Sequence, residues 1–131
     1  MMDEVETLQA LLPAAAKRYS DQLAVDYRGR QESYGSLYAL ANRMAQALQQ
    51  RGICPGERVV VCLNKSVETM ASMYAVHLCA AVYVPVDPIA PPGRIIRLII
   101  DADAAGLLIA PRNLEILQGA VQEWSPPPVV L

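Results

Sequence analysis

Residues 58–86 read Arg58-Val59-Val60-Val61-Cys62-Leu63-Asn64-Lys65-Ser66-Val67, then Glu68-Thr69-Met70-Ala71-Ser72-Met73-Tyr74-Ala75-Val76-His77-Leu78, then Cys79-Ala80-Ala81-Val82-Tyr83-Val84-Pro85-Val86. Val59–Leu63 is apolar throughout, the pattern of a strand covered on both faces. Ser66 stands where a helix needs an N-cap. Val67, Met70, Ala71, Tyr74, Ala75 and Leu78 then recur at the three-and-four spacing of an amphipathic helix, and Met73 and Val76 widen its apolar side. Tyr83–Val86 reads as a second strand. Strand, helix and strand in this order predict a right-handed crossover between parallel neighbours.

The alternation continues toward the C-terminus. Pro91-Pro92 opens a helix, a position where Pro is tolerated, with Arg94, Arg97 and Asp101 as its wet stripe. Leu107–Ala110 is a third strand. Arg112–Glu123 is a last helix with Leu114, Leu117 and Val121 facing inward. After Pro126-Pro127-Pro128, Val129–Leu131 reads as the start of another strand. The strand starts Val59, Tyr83 and Leu107 are 24 residues apart in both steps (83 − 59 and 107 − 83). No residue-level repeat accompanies that spacing. It is the geometry of a three-layer βαβαβα unit with a parallel sheet, an α/β fold.

Toward the N-terminus, Thr7–Tyr19 reads as a helix with Leu8, Leu12, Ala15 and Ala16 apolar. Pro13 predicts a kink or restart there, because Pro removes a donor and crowds the preceding turn. Leu23–Tyr27 and Gln31–Tyr34 around Arg28-Gly29-Arg30 predict a hairpin. Ser36–Arg51 is the clearest helix, with Leu37, Leu40, Ala41, Met44, Ala45 and Leu48 on one face. Gly52 is placed to end it, and Pro55-Gly56 turns into the first parallel strand.

Composition narrows the function classes. The chain has 131 residues, 53% hydrophobic, above the usual ~45–50%. Extended disorder is excluded by that content, and so high a value hints at a missing partner surface. With six Tyr, one Trp and no Phe, the core must be aliphatic. The net charge is −2 and no basic stripe exists, which argues against nucleic-acid binding. The apolar stretch Ala71–Val86 is interrupted by Ser72, His77 and Pro85, so no membrane span is expected. Met1–Glu6 carries three acids and no apolar segment of a signal peptide. Cys54, Cys62 and Cys79 include no C-x-x-C pair; Cys62 and Cys79 read as small buried hydrophobes. Their odd number fits a reducing, cytoplasmic compartment.

No catalytic constellation is visible. The chain lacks both G-x-x-x-x-G-K-[ST] and G-x-G-x-x-G. Asn64-Lys65-Ser66, at the start of a helix, could hold an anion, but an N-cap beside an exposed Lys accounts for it. His77 has no nucleophile–acid pair placed for a triad, and alone it cannot form a His-rich metal site. Asp101 follows Arg97 by four residues, so Asp101 and Asp103 read as solvated surface, as do Arg94 and Arg97. No residue is therefore assigned a catalytic, cofactor-binding or metal-binding role.

Four ordered motifs nonetheless carry a resemblance. Glu32-Ser33-Tyr34-Gly35-Ser36-Leu37, leading into Ala41-Asn42-Arg43-Met44-Ala45, resembles the first core motif of adenylate-forming enzymes, Ser/Thr-Tyr-x-x-Leu followed by Ala-Asn-Arg-x-Ala. These are the acyl-CoA synthetases and the adenylation domains of nonribosomal peptide synthetases. Gly52-Ile53-Cys54-Pro55-Gly56-Glu57-Arg58-Val59 resembles the family turn Gly-x-x-Pro-Gly-Asp-Arg-Val. Ala80-Ala81-Val82-Tyr83-Val84-Pro85-Val86-Asp87-Pro88 resembles Ala-Gly-x-x-Tyr-Val-Pro-Leu-Asp-Pro, and Pro92-x-Arg94-Ile95 continues the match through Asp101 to Leu107–Ile109. Departures are Ala80 at a usual Gly, Asp103-Ala104 at a usual small polar pair, and Pro13. Within these motifs Tyr34 and Leu37 are expected to anchor hairpin to helix, and Asp87, between Pro85 and Pro88, to act as scaffold.

The resemblance covers about Thr7 to Ala110 and implies that residues 1–131 are one N-terminal subdomain of a larger adenylation domain, with 125–131 starting a truncated connection. It implies a whole enzyme that uses ATP and Mg to convert a carboxylic acid, an amino acid or an acyl group, into an acyl-adenylate, and passes it to the thiol of CoA or a carrier protein. The phosphate loop, substrate pocket and catalytic Lys of such enzymes lie downstream of these motifs. The chain alone is expected to be inactive and to have the rest of the enzyme as its partner. An apolar face and sheet edge left open would invite self-association. The rival reading is a complete small interaction module built on the same half-fold.

Overall fold

The computed structural model describes residues 7–130. The acidic Met1–Glu6 and the strand end expected at Leu131 lie outside the described residues. β1 (Leu23–Tyr27) and β2 (Arg30–Ser33) form an antiparallel hairpin. β3 (Arg58–Cys62), β4 (Val82–Pro85), β5 (Gly106–Ile109) and β6 (Val129–Val130) form a second, all-parallel sheet in the order β4-β3-β5-β6. The helices are α1 (Leu8–Tyr19), α2 (Tyr34–Gln50), α3 (Val67–Leu78), α4 (Pro92–Asp101) and α5 (Pro111–Ala120). No described helix is long and apolar enough to cross a membrane.

The period of two along a strand divides the core. Val59 and Val61 point from β3 into a cluster with Ala45 and Leu48 of α2 and Ala75 and Val76 of α3. Val60 and Cys62 point the other way, toward Ile95, Ile96 and Ile99 of α4 and Leu117 of α5. Leu108 joins the first cluster, and Leu107 and Ile109 the second. All four core positions of β3 are buried, as expected of a strand between two helical layers. A third cluster, around Leu12, Leu37, Ala41 and Ala71, joins α1 to α2 and α3, and Val25 and Tyr34 pack on it.

Several expected boundaries move. Arg30 belongs to β2, because Arg28 (φ 51°) and Gly29 (φ 85°) alone make the turn between the paired residues Tyr27 and Arg30. Two successive positive φ values fit the twist of a two-residue hairpin loop. α2 starts at Tyr34 rather than Ser36 because Ser33 caps it: its Oγ accepts from the Ser36 amide at 3.1 Å. α1 runs through Pro13 without a break. One intrahelical bond is lost, while buried Leu12 and Ala16 hold the helix in place. α5 stops at Ala120, so Val121 is extended and exposed rather than inward. Met70 is also exposed, and Ser72 takes a buried place on α3 because its Oγ donates to the Glu68 carbonyl at 2.6 Å.

Two backbone features fix the first sheet strands. A Cβ on Gly106 would stand 2.7 Å from Ile53 Cδ1, so glycine at the start of β5 admits Ile53 to the core. Ala80, at the position of the expected Gly, has φ 54°, in the left-handed region. Its carbonyl accepts from Gly56 N–H at 2.9 Å, tying the α3–β4 turn to the Pro55-Gly56 turn.

Candidate functional site

In open parallel sheets ligands bind outside the carboxyl ends of the strands, and a cleft of about 380 Å³ opens there at β3 and β4. Val61, Leu63, Pro85, Val86, Pro88 and Ile89 give it apolar walls, and Asn64, Lys65, Thr69, Tyr83 and Asp87 supply its polar atoms. The sequence places them there simply: β3 ends into Asn64-Lys65-Ser66 and α3, and β4 ends into Pro85-Val86-Asp87-Pro88.

Most of those polar atoms are committed to the fold. Ser66 Oγ accepts from the Thr69 amide at 3.1 Å and shares a hydrogen bond with the Thr69 hydroxyl, which also donates to the Asn64 carbonyl. Asp87 Oδ1 accepts from the Ile89 amide at 2.9 Å and so closes the turn after β4. The scaffold role expected for Asp87 rests on this bond. Burial pushes the Tyr83 hydroxyl above its ordinary range.

The structure brings Asn64, Lys65 and Asp87 to one cleft and leaves the other weighed residues apart. Asp101 pairs with Arg97 at 3.6 Å on the exposed face of α4. Asp103 makes a turn at φ 50°, and Arg94 is exposed. His77 lies against Tyr74 and Tyr83 rather than beside any nucleophile. Cys54 is exposed, whereas Cys62 and Cys79 are buried, and burial, then the charge of Asp87, pushes the Cys62 thiol up to about 11. Sequence reasoning did not anticipate Thr69 and Tyr83 in the cleft, or Arg30 bridging Glu32 of β2 and Glu68 of α3. Only the three-residue offset of Thr69 from Ser66 signalled its place. The Arg30 guanidinium holds the Glu68 carboxyl below its usual range.

This donor set does not fit a magnesium nucleotide. Polyphosphate binding needs several free amides or cations around the phosphates and carboxylate oxygens for the metal. The cleft has one ammonium and one carboxylate, with one oxygen of the latter engaged in a turn. Among the described residues no three His, Cys, Asp or Glu side chains gather as a metal site.

Comparisons with known proteins place the arrangement. The family profile described as AMP-binding enzyme matches residues 12–129. Surfactin synthase subunit 1 of Bacillus subtilis (strain 168) is 39% identical over 103 residues, 79% of this chain and 3% of that protein. The solved nonribosomal peptide synthetase FmoA3 superposes with a TM-score of 0.82 at 30% identity, over 98% of this chain and 14% of its own. A benzoate CoA ligase from Burkholderia xenovorans LB400, 17% identical, shares the fold at a TM-score of 0.83 over 97% of this chain and 26% of its own. The chain thus spans a small part of the proteins it matches. From its motifs, its sheet order and the profile match over nearly its whole length, the chain belongs to the AMP-binding enzyme family.

Proposed function

We propose that this chain is the N-terminal scaffold portion of a ligase that uses ATP to activate a carboxylic acid as an acyl-adenylate and transfers the acyl group to a thiol. One observation carries the reading: the family match runs over residues 12–129, yet the cleft inside that segment has no cradle for phosphates. On this reading the segment supplies the α/β layer on which the reacting groups of the rest of the enzyme are held. The reading is supported by Ser66, Thr69 and Asp87, which spend polar atoms on the helix cap and the turn that shape the cleft.

The acid favoured is an amino acid, with a carrier-protein thiol as acceptor. Among structural matches the peptide synthetase FmoA3 stands at 30% identity, and the benzoate and anthranilate CoA ligases at 17% and 19%. Two measurements test the reading. The purified chain, given ATP, Mg and a panel of amino, aryl and fatty acids, is expected to show no acid-dependent ATP–pyrophosphate exchange. Exchange above a heat-denatured control would overturn the scaffold role. Reading the encoding gene past the codon for Leu131 is expected to show the remaining adenylation motifs in frame. A stop codon there would instead favour a self-contained interaction module.

A further inference from the structure

His77 is the chain's single histidine, and the scaffold reading leaves it without a task. It sits in the last turn of α3, edge-on to two tyrosine rings. Tyr74, one turn earlier, has its centroid at 6.2 Å and 85°; Tyr83, on β4, is at 6.3 Å and 75°. Nδ1 of His77 is shut off from water and has no hydrogen-bond partner among the described residues.

A bare acceptor nitrogen is tolerated on a neutral ring. An N–H added at that nitrogen is not, because it finds no partner there, although His77 as a whole is only half-buried. The carboxyl end of α3 attracts a cation, but burial outweighs it: the imidazole is held below its ordinary range, and burial is the whole cause. The titratable groups whose rings meet the imidazole are Tyr74 from α3 and Tyr83 from β4. No carboxylate or cation contributes to its shift. Among the described residues β4 is an edge strand bonded to β3 alone, and few ladder bonds make such an element the first to open. Its Tyr83 also lines the cleft.

We propose that Tyr74, His77 and Tyr83 form an acid-sensitive latch: the neutral imidazole clamps Tyr83, and with it β4, against α3, and protonation expels the imidazole so that β4 opens locally at the cleft. The opening is confined to the α3–β4 seam, since β3 and β5 stay covered on both faces.

The single histidine makes the test direct. The His77 Cε1–H resonance is followed by NMR from about pH 8 to about pH 5, across the range in which imidazoles titrate. Amide protection, corrected for intrinsic exchange, is followed in parallel at Val82 and Val86, which donate to Glu57 and Val61 at 2.7 and 2.9 Å. Ala105, which donates to Arg58 at 2.8 Å, reports the β5 side. The expected result is a titration midpoint below the ordinary imidazole value. Protection of Val82 and Val86 falls about tenfold per pH unit between that value and the midpoint, and Ala105 does not change. His77→Phe, aromatic and without a proton to gain, loses this response. A midpoint at or above the ordinary value, constant protection at Val82 and Val86, loss shared equally with Ala105, or an unchanged response in His77→Phe would each overturn the latch. Should His77→Phe not fold, the comparison of Val82 with Ala105 in the unaltered chain still decides.

Discussion

At Ala80 a side chain occupies backbone space suited to glycine. Its φ of 54° brings Cβ toward the carbonyl oxygen, a cost of about 1–2 kcal/mol that glycine avoids. Ala80 is exposed, so its methyl group contributes little packing in return. Ala80→Gly is expected to stabilise the chain by about 0.5–1 kcal/mol after allowance for the greater freedom of an unfolded glycine. Urea unfolding with a raised midpoint and an unchanged slope checks this; an equal or lower midpoint would contradict it. The thiols give a second residue-scale outcome. Cys54 is exposed, while Cys62 and Cys79 are buried with their thiols pushed above the ordinary range, Cys62 to about 11. The thiolate is the reactive form, so a thiol reagent near neutral pH is expected to label Cys54 alone in the native chain and all three after unfolding. The departure at Ala80 was legible in the sequence, because a family motif exposes a substitution. The bare Nδ1 of His77 was not, because it depends on a strand that arrives from outside the helix.

The elements were legible in proportion to how strongly periodicity and caps agreed. α3 had both, and its start stands where Ser66 puts it. Ser66→Ala removes the acceptor for the Thr69 amide and is expected to destabilise the chain by about 1 kcal/mol. Thermal unfolding with no decrease in midpoint would show that the cap is dispensable. The displaced boundaries have local causes. The hairpin turn uses Arg28 in a conformation that arginine rarely takes, so nothing in its residue type announced a two-residue loop. The apolar stripe of α2 begins at Leu37, so periodicity alone did not reach back to Tyr34, where the Ser33 cap starts the helix. Buried Ser72 escaped a purely apolar stripe because its hydroxyl is satisfied by its own helix. The cleft was legible only as a location, the end of β3. Its composition depended on the register that sets Val61 beside Pro85, which no local pattern contains.

For the molecule as a whole, apolar side chains lie open in more than one place. Leu8, Leu11 and Leu23 are exposed around α1 and β1, as are Val82, which begins β4, and Ile89 after it. Sedimentation velocity is expected to show weight-average size rising with concentration, because exposed apolar area of this kind associates. A clean monomer throughout the accessible range would count against it. The sheet itself treats its two edges differently. Val82 and Val86 donate inward to β3, so the alternate positions, Tyr83 and Pro85, face outward, and Pro85 has no N–H to offer. Prolines in this place blunt an edge against further pairing. Along β4 that leaves Tyr83 with the one outward amide, so a strand arriving on that flank would find a single donor, whereas the opposite flank of β3 pairs with β5 over four residues, Val59 to Cys62.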